Sequence, residues 1–452
     1  MRLSAALSAA LVAVASLRAE APPIEGTMPE DLMPELKPLL RTAVERSPNT
    51  IGALIAVEQN EAQKYASFAI LYPSVNLSGN YAVSTESETN SSSSTSRGLF
   101  YGASVSQAIF QWGAYKNSAM IGSLGLKIAQ RQYADAYRQL ATLIREQYMA
   151  LVYKKVTFRN ENFKVKIAEE DLAAQQARFQ SGSSSAAQVQ GFEMALETAK
   201  LARDRAGEDF SYAKRQFMRL VGVDTLDDAA IPMMVAHADY SASLADAVLA
   251  GFVGNGIEST FQSQVFEMEI RQQDMQYSIA KVRLLPKLSA SASYSYANYT
   301  AAGVGSVSQV GLRSESYGLS AGWAIFDGFA TRGAKLSALA SKRAVERQEK
   351  SYFDATVDSV NDMRHQLDFA ARALSLAETH FILIDAEVKR LSDDKALGYA
   401  SQATIDTGIL NAYASEFDQA FARADYLGHW TEFISLAGLD PAIDNISPSY
   451  VR

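Results

Sequence analysis

The chain has 452 residues, no cysteine and a formal net charge of −8. That balance supplies no basic patch for nucleic acid, and the missing cysteines exclude disulfides, thiolate chemistry and a lipidated N-terminal cysteine. Twenty-one Tyr and twenty Phe against eleven Pro mark a chain built to be ordered.

Residues 1–21 start with Arg2, continue as an apolar run from Leu3 to Leu17 and finish on Ala19-Glu20-Ala21. This is the layout of a cleaved secretory signal, with cleavage after Ala19 or Ala21. No later stretch offers about eighteen uninterrupted apolar residues, so no helical membrane span is expected.

The remainder is written twice. Residues 101–224 lie over 317–440 without a gap at an offset of 216, pairing Tyr101 with Tyr317, Gly182 with Gly398 and Gly222 with Gly438. Upstream the offset is 213, which pairs Pro73 with Pro286 and Tyr81 with Tyr294. The change of offset falls between residues 82 and 100, a Ser/Thr/Asn-rich stretch that reads as a solvent-facing loop tip. The copies are residues 22–240 and 241–440, followed by a tail, 441–452.

Each copy opens with a helix, about 43–69 and 256–282. Alternation follows. Val75, Leu77, Tyr81 and Val83 take one side of a strand while Ser74, Asn76, Ser78 and Asn80 take the other. In the second copy Leu288, Ala290, Ala292, Tyr294 and Tyr296 alternate with serines. A second alternating run returns in each copy through Tyr101, Ala103, Val105 and Ile109, and through Tyr317, Leu319, Ala321, Trp323 and Ile325. Two β-hairpins are expected, about 73–110 and 286–326, from strands of about ten residues, the length that crosses a bilayer when tilted. A half-buried sheet in a soluble domain would alternate equally well. Four strands cannot close a water-holding barrel, and open edges are excluded from lipid, so a membrane reading requires several chains; three would give twelve strands.

Neither Pro nor a turn cluster interrupts 112–180 or 328–397, so each predicts a helix about 100 Å long at ~1.5 Å per residue. Tyr137, Ile144, Leu151, Phe158, Val165 and Leu172 recur every seven residues, as do Phe353, Val360, Leu367, Leu374, Phe381 and Val388. Such a stripe packs long helices side by side in a slightly supercoiled array; a soluble coiled-coil rod is the lesser alternative. Ser181-Gly182-Ser183-Ser184 and Leu397-Gly398-Tyr399-Ala400 then turn the chain. Ser185 and Ser401 are placed to cap returning helices, 186–221 and 402–437.

His237, His365, His380 and His429 are scattered, and no nucleophile elbow, phosphate loop or dinucleotide fingerprint occurs. No enzyme, metal site or cofactor is expected.

Three paired features carry a resemblance. Pro73-Ser-Val-Asn-Leu and Pro286-Lys-Leu-Ser-Ala begin the strands. Gln107-Ala-Ile-Phe-Gln-Trp-Gly and Trp323-Ala-Ile-Phe-Asp-Gly-Phe end them, and the Gly182 and Gly398 turns complete the set. In this ordered set the mature sequence resembles the TolC-type outer-membrane factor family. The resemblance implies a mixed α and β fold: a homotrimer in which a twelve-stranded transmembrane β-barrel, four strands per chain, continues into a periplasmic α-helical barrel. Segments 22–42, 223–244 and 441–452 would form an equatorial belt. It further implies an exit duct in the outer membrane of a Gram-negative bacterium, embedded in outer-membrane lipid. The duct docks to a periplasmic adaptor and through it to an inner-membrane RND or ABC transporter, with type I protein secretion as the alternative. The family's adaptor-contact tips carry over to Gly182, Ser183, Ser184 and Ser185, and to Gly398, Tyr399, Ala400 and Ser401. Some relatives close the periplasmic mouth with aspartates just beyond the second tip. The matching positions here hold Thr404 and Thr407, with Asp406 offset by one and Gln188 in the first copy, so the carboxylate ring does not carry over intact.

Overall fold

The computed structural model describes residues 26–86, 94–303 and 306–451; the expected signal segment and residues 87–93 of the first hairpin connection lie outside these. In chain order the elements are α1 (Pro29–Leu32), α2 (Leu36–Arg46), α3 (Pro48–Phe68), β1 (Ser74–Glu86), β2 (Ser94–Phe110), α4 (Ala114–Gln180), α5 (Ala186–Val221), α6 (Ala242–Gly251), α7 (Phe261–Lys281), β3 (Lys287–Gly303), β4 (Ser306–Gly322), α8 (Ala330–Ala396), α9 (Gln402–Leu436) and α10 (Pro448–Val451). Two compact units result. One comprises residues up to Ala43 with Gln139–Thr260 and Thr356–Ala442; the other comprises Val44–Arg138, Phe261–Ala355 and the C-terminal residues from Ile443.

The second unit holds one antiparallel sheet in the order β1-β2-β3-β4. Its strands run 13, 17, 17 and 17 residues, longer than the ten or so expected. Alternation continues past the region where one side is apolar, but with the sides exchanged, so a search for one apolar side stops too early. A bulge between Ala108 and Phe110 sets Phe110, rather than Ile109, opposite Leu288. β4 ends at Gly322, which leaves Trp323 and Ile325 outside the strand.

The expected first helix also begins later, at Pro48. Proline has no N–H to lose at a first helical position, and the Ser47 hydroxyl caps the helix by accepting from the Asn49 N–H at 3.4 Å. In the second copy the chain is extended at Thr260 before α7.

The long helices α4 and α8 have 67 residues each. In the first unit the middle of the seven-residue stripe is interior: Ile144, Leu151, Val165, Val360, Leu367 and Leu374 are buried, while Phe158, Leu172, Phe381 and Val388 are half-buried. Among the described residues no helix is long and apolar enough to cross a membrane.

Candidate functional site

The sheet has two chemically unlike sides. On one, Leu77, Val105, Ala292, Tyr317 and Leu319 share a side through the register Val75↔Val105, Val105↔Ala292 and Ala292↔Tyr317, and Leu77 and Leu319 stand 83% and 81% exposed. On the other, serines meet across the strands: Ser74 and Ser106 pair through their hydroxyls at 2.7 Å, Ser289 and Ser320 at 2.7 Å, and Ser293 and Ser316 at 2.8 Å. Period-two alternation and in-register pairing make this division. Among the described residues nothing covers the apolar side, and the outer edges of β1 and β4 have no strand partner.

Each strand pair gives way to a long helix at a corner of two successive left-handed residues. In the first copy these are Trp112 (φ 48°) and Gly113 (φ 85°); in the second they are Gly328 (φ 63°) and Phe329 (φ 67°). The strained bulky residue therefore stands first in one corner and second in the other. The Trp112 indole N–H donates to the Pro286 carbonyl at 3.0 Å. In the second corner the Asp327 carboxylate accepts from the Thr331 N–H at 2.9 Å and its hydroxyl at 2.6 Å, which holds that carboxyl below its ordinary range.

The two helical tips share one backbone device. Gly182 and Gly398 lie at φ 75° and 83°. Ser183 N–H donates to the Arg178 carbonyl at 2.8 Å and Gly182 N–H to Phe179 at 3.0 Å; Tyr399 N–H donates to Asp394 at 2.7 Å and Gly398 N–H to Lys395 at 2.9 Å. These are paired Schellman closures, for which a residue without Cβ suits the left-handed position.

Their side chains differ. Ser184 is engaged by Gln175 and donates to Gln188 Oε1 at 3.0 Å, while Ser185 and Gln188 cap each other reciprocally in a capping box. Gln188, placed by sequence among the mouth candidates, thus has its amide oxygen occupied by the cap. At the second tip Ser401 accepts from the Thr404 N–H at 3.2 Å, but Tyr399 and Leu397 project into solvent at 82% and 69% exposure. Asp406 accepts from Gln402 Nε2 at 2.7 Å, and Thr407 donates to the Ala403 carbonyl at 2.8 Å. Thr404 and Thr407 line a groove of about 460 Å³ between α8 and α9, walled by Glu387, Val388 and Leu391.

Sequence reading missed a buried ion cluster in the first unit. Arg145, fully buried on α4, forks to Glu30 through Nε at 2.8 Å and Nη2 at 2.5 Å, and to Asp440 through Nη1 at 2.7 Å and Nη2 at 2.8 Å. Burial alone would lower the guanidinium's pKa, but the two carboxylates outweigh it and hold the group above its ordinary value. The one signal for it was an Arg beside the stripe residue Ile144 where the second copy carries Asn361.

A family model described as outer membrane efflux protein matches residues 39–223 and 259–388. No curated protein matches the chain. Among solved structures, the fold is similar to the Campylobacter jejuni CmeC outer membrane channel, with TM-score 0.70 and 14% identity over 94% of this chain and 92% of that one. It is also similar to the open state of the Neisseria gonorrhoeae MtrE outer membrane channel, with TM-score 0.65 and 15% identity over 90% of each chain. VceC, an outer membrane protein of Vibrio cholerae, matches with TM-score 0.61 and 15% identity over 92% of this chain and 98% of that one.

Proposed function

The chain belongs to the outer membrane efflux protein family, and from that premise we propose that it is the exit duct of a tripartite export machine. It is a channel protein of the outer membrane, not an enzyme. One observation carries the finer reading: a sheet with an uncovered apolar side, a hydroxyl-lined side and two open edges. In lipid each unpaired edge group costs several kcal/mol, so the edges must be paired. Joining β4 of one copy to β1 of the next, three times, closes twelve strands. The apolar side then meets outer-membrane lipid and the serine side a wet lumen.

In this reading residues 22–240 and 241–440 are two copies of one design, and the helices extend into the periplasm. The tips at Gly182–Ser185 and Gly398–Ser401 are the contacts for a periplasmic adaptor, which couples the duct to an inner-membrane transporter. Gln188, Thr404, Asp406 and Thr407 stand near the periplasmic mouth.

The test uses neighbouring residues of opposite orientation. Leu319→Arg is expected to impair assembly of the heat-resistant trimer in outer-membrane extracts by roughly 2–4 kcal/mol, the cost of a cation facing mid-bilayer lipid. Ser320→Arg is expected to leave assembly intact and change conductance. Equal yields of trimer from the two would reject the assignment of sides. Recovery of the unaltered chain in the soluble periplasmic fraction would reject the duct.

A further inference from the structure

Toward the hairpin ends of β2, β3 and β4, away from the helices, the two sides of the sheet exchange character. Below that level the serine side reads Ser104, Ser106, Ser291, Ser293, Ser314 and Ser316. Above it the same side carries Phe100, Ala297, Tyr299, Val310 and Leu312, related by the pairs Phe100↔Ala297, Ala297↔Leu312, Gly98↔Tyr299 and Tyr299↔Val310. The apolar side changes in the opposite sense. Above the level of Phe100 it carries Arg97, Asn298, Thr300 and Gln309 around Leu99, and the pair Arg313–Glu315, whose Nε–Oε1 distance is 3.0 Å, stands just below, opposite Tyr296 and Tyr294.

The exchange fixes the surroundings of this level. An outward surface on which Arg97, Asn298, Thr300 and Gln309 surround Leu99, with Tyr101 and Tyr296 at its lower border, belongs to water or headgroups, so the strand ends have left the hydrocarbon there. The apolar group on the inward side is consequently not a displaced lipid surface. It is also built: Phe100 and Tyr299 stack at 6.1 Å with an interplanar angle of 17°, and any Cβ at Gly98 would collide with Tyr299. Leu312 beside them is 58% exposed.

Resting on the duct reading, we propose that Phe100, Tyr299, Val310 and Leu312, repeated in each copy, form an apolar collar at the outer end of the lumen that binds apolar and aromatic solutes in transit. A wall of serine hydroxyls holds water and offers such solutes little. A ring of phenyl, phenol and branched aliphatic groups offers them stacking and desolvation, and raises the cost of passing hydrated ions. The collar makes the last contact with cargo before release a selective one.

The experiment measures current block by tetraphenylphosphonium, an aromatic cation, in planar bilayers containing the assembled trimer. Phe100→Ser and Leu312→Asn are each expected to raise the half-blocking concentration several-fold and to increase potassium conductance. Thr300→Ala, on the outward side of the same level, is expected to change neither. Half-blocking concentrations unchanged in both collar variants would overturn the proposal. Where no steady current passes, the cysteine-free chain allows a second measurement with the polarity-sensitive dye acrylodan on Leu312→Cys and Ser316→Cys trimers. A blue-shifted emission at 312 relative to 316 supports the collar, and equal emission overturns it. Absence of an outer-membrane trimer of the unaltered chain would overturn the duct reading itself, whereas a normal trimer failing these tests overturns the collar alone.

Discussion

Helices α5 and α9 stand at matching positions of the two copies and have 36 and 35 residues, yet they are buried very differently. Along α9 fourteen residues are interior, from Ile405 to Ser435, whereas α5 buries five and leaves Met194, Leu201 and Tyr212 exposed. The reason lies in what packs on α9. Trp430 donates to the Thr27 hydroxyl at 3.1 Å, Arg423 to the Val235 carbonyl at 3.1 Å and to Glu378 at 2.9 Å, and Tyr426 to the Asp239 carbonyl at 3.4 Å. The irregular segments before α3 and after α5 thus reach α9 as well as the helices of their own copy, where Glu30 meets Arg145 and Lys155 donates to the Asp228 and Ile231 carbonyls. A sequence written twice need not be used twice in the same way. In the proposed trimer, the apolar surface left on α5 is available to a neighbouring copy.

The largest expected effect tests this asymmetry where it is charged. Arg145→Ala strands two buried carboxylates and is expected to destabilise the protein by ~3–5 kcal/mol, whereas Asn361→Ala, at the matching position, removes one local hydrogen bond worth about 1 kcal/mol. Among the described residues Asn361 donates to the Val357 carbonyl of its own helix alone, at 2.8 Å. Denaturant unfolding of the two variants decides the matter, and equal losses would show that the cluster holds no more than the local bond does.

Next come the tips. Tyr399→Ala is expected to weaken capture of the periplasmic adaptor by about 2 kcal/mol, or roughly thirty-fold, because exposed aromatic anchors dominate interfaces. Ser183→Ala, at the matching place on the first tip, is expected to change it little. Adaptor titrations on the two variants would break the comparison if the losses were alike.

Smallest are the caps. Ser185→Ala removes half of a reciprocal capping box and is expected to cost about 1 kcal/mol, while Ser401→Ala, which loses a single-sided cap, is expected to cost about half as much. Amide exchange in the first turns of α5 and α9 reads both.

Much of this was legible in the residues. Gly182 and Gly398 foretold the turns because a left-handed helix end favours a residue without Cβ. The seven-residue stripe foretold which side of α4 and α8 is interior, and the Ser/Leu alternation foretold a two-sided sheet. The Arg145 cluster was hidden because its partners lie 115 and 295 positions away, and no local pattern links residues so separated. The corners were hidden for a different reason. Trp112-Gly113 and Gly328-Phe329 differ at both positions, and only the backbone angles reveal one conformation written in two ways. The upper strand ends were missed because their alternation persists while its sense reverses.

By itself the sequence determined the two hairpins, the long and returning helices and the periodic sides, since these follow from repeats of two and seven residues along a single chain, but not the full strand lengths or the short helices α1, α2, α6 and α10. Tertiary structure alone decided that the irregular segments reach α9, which carboxylates Arg145 neutralises, and that Phe100 lies against Tyr299. Those are matters of distance in space between residues far apart in the chain, and the burial that makes them consequential exists only once the chain has folded.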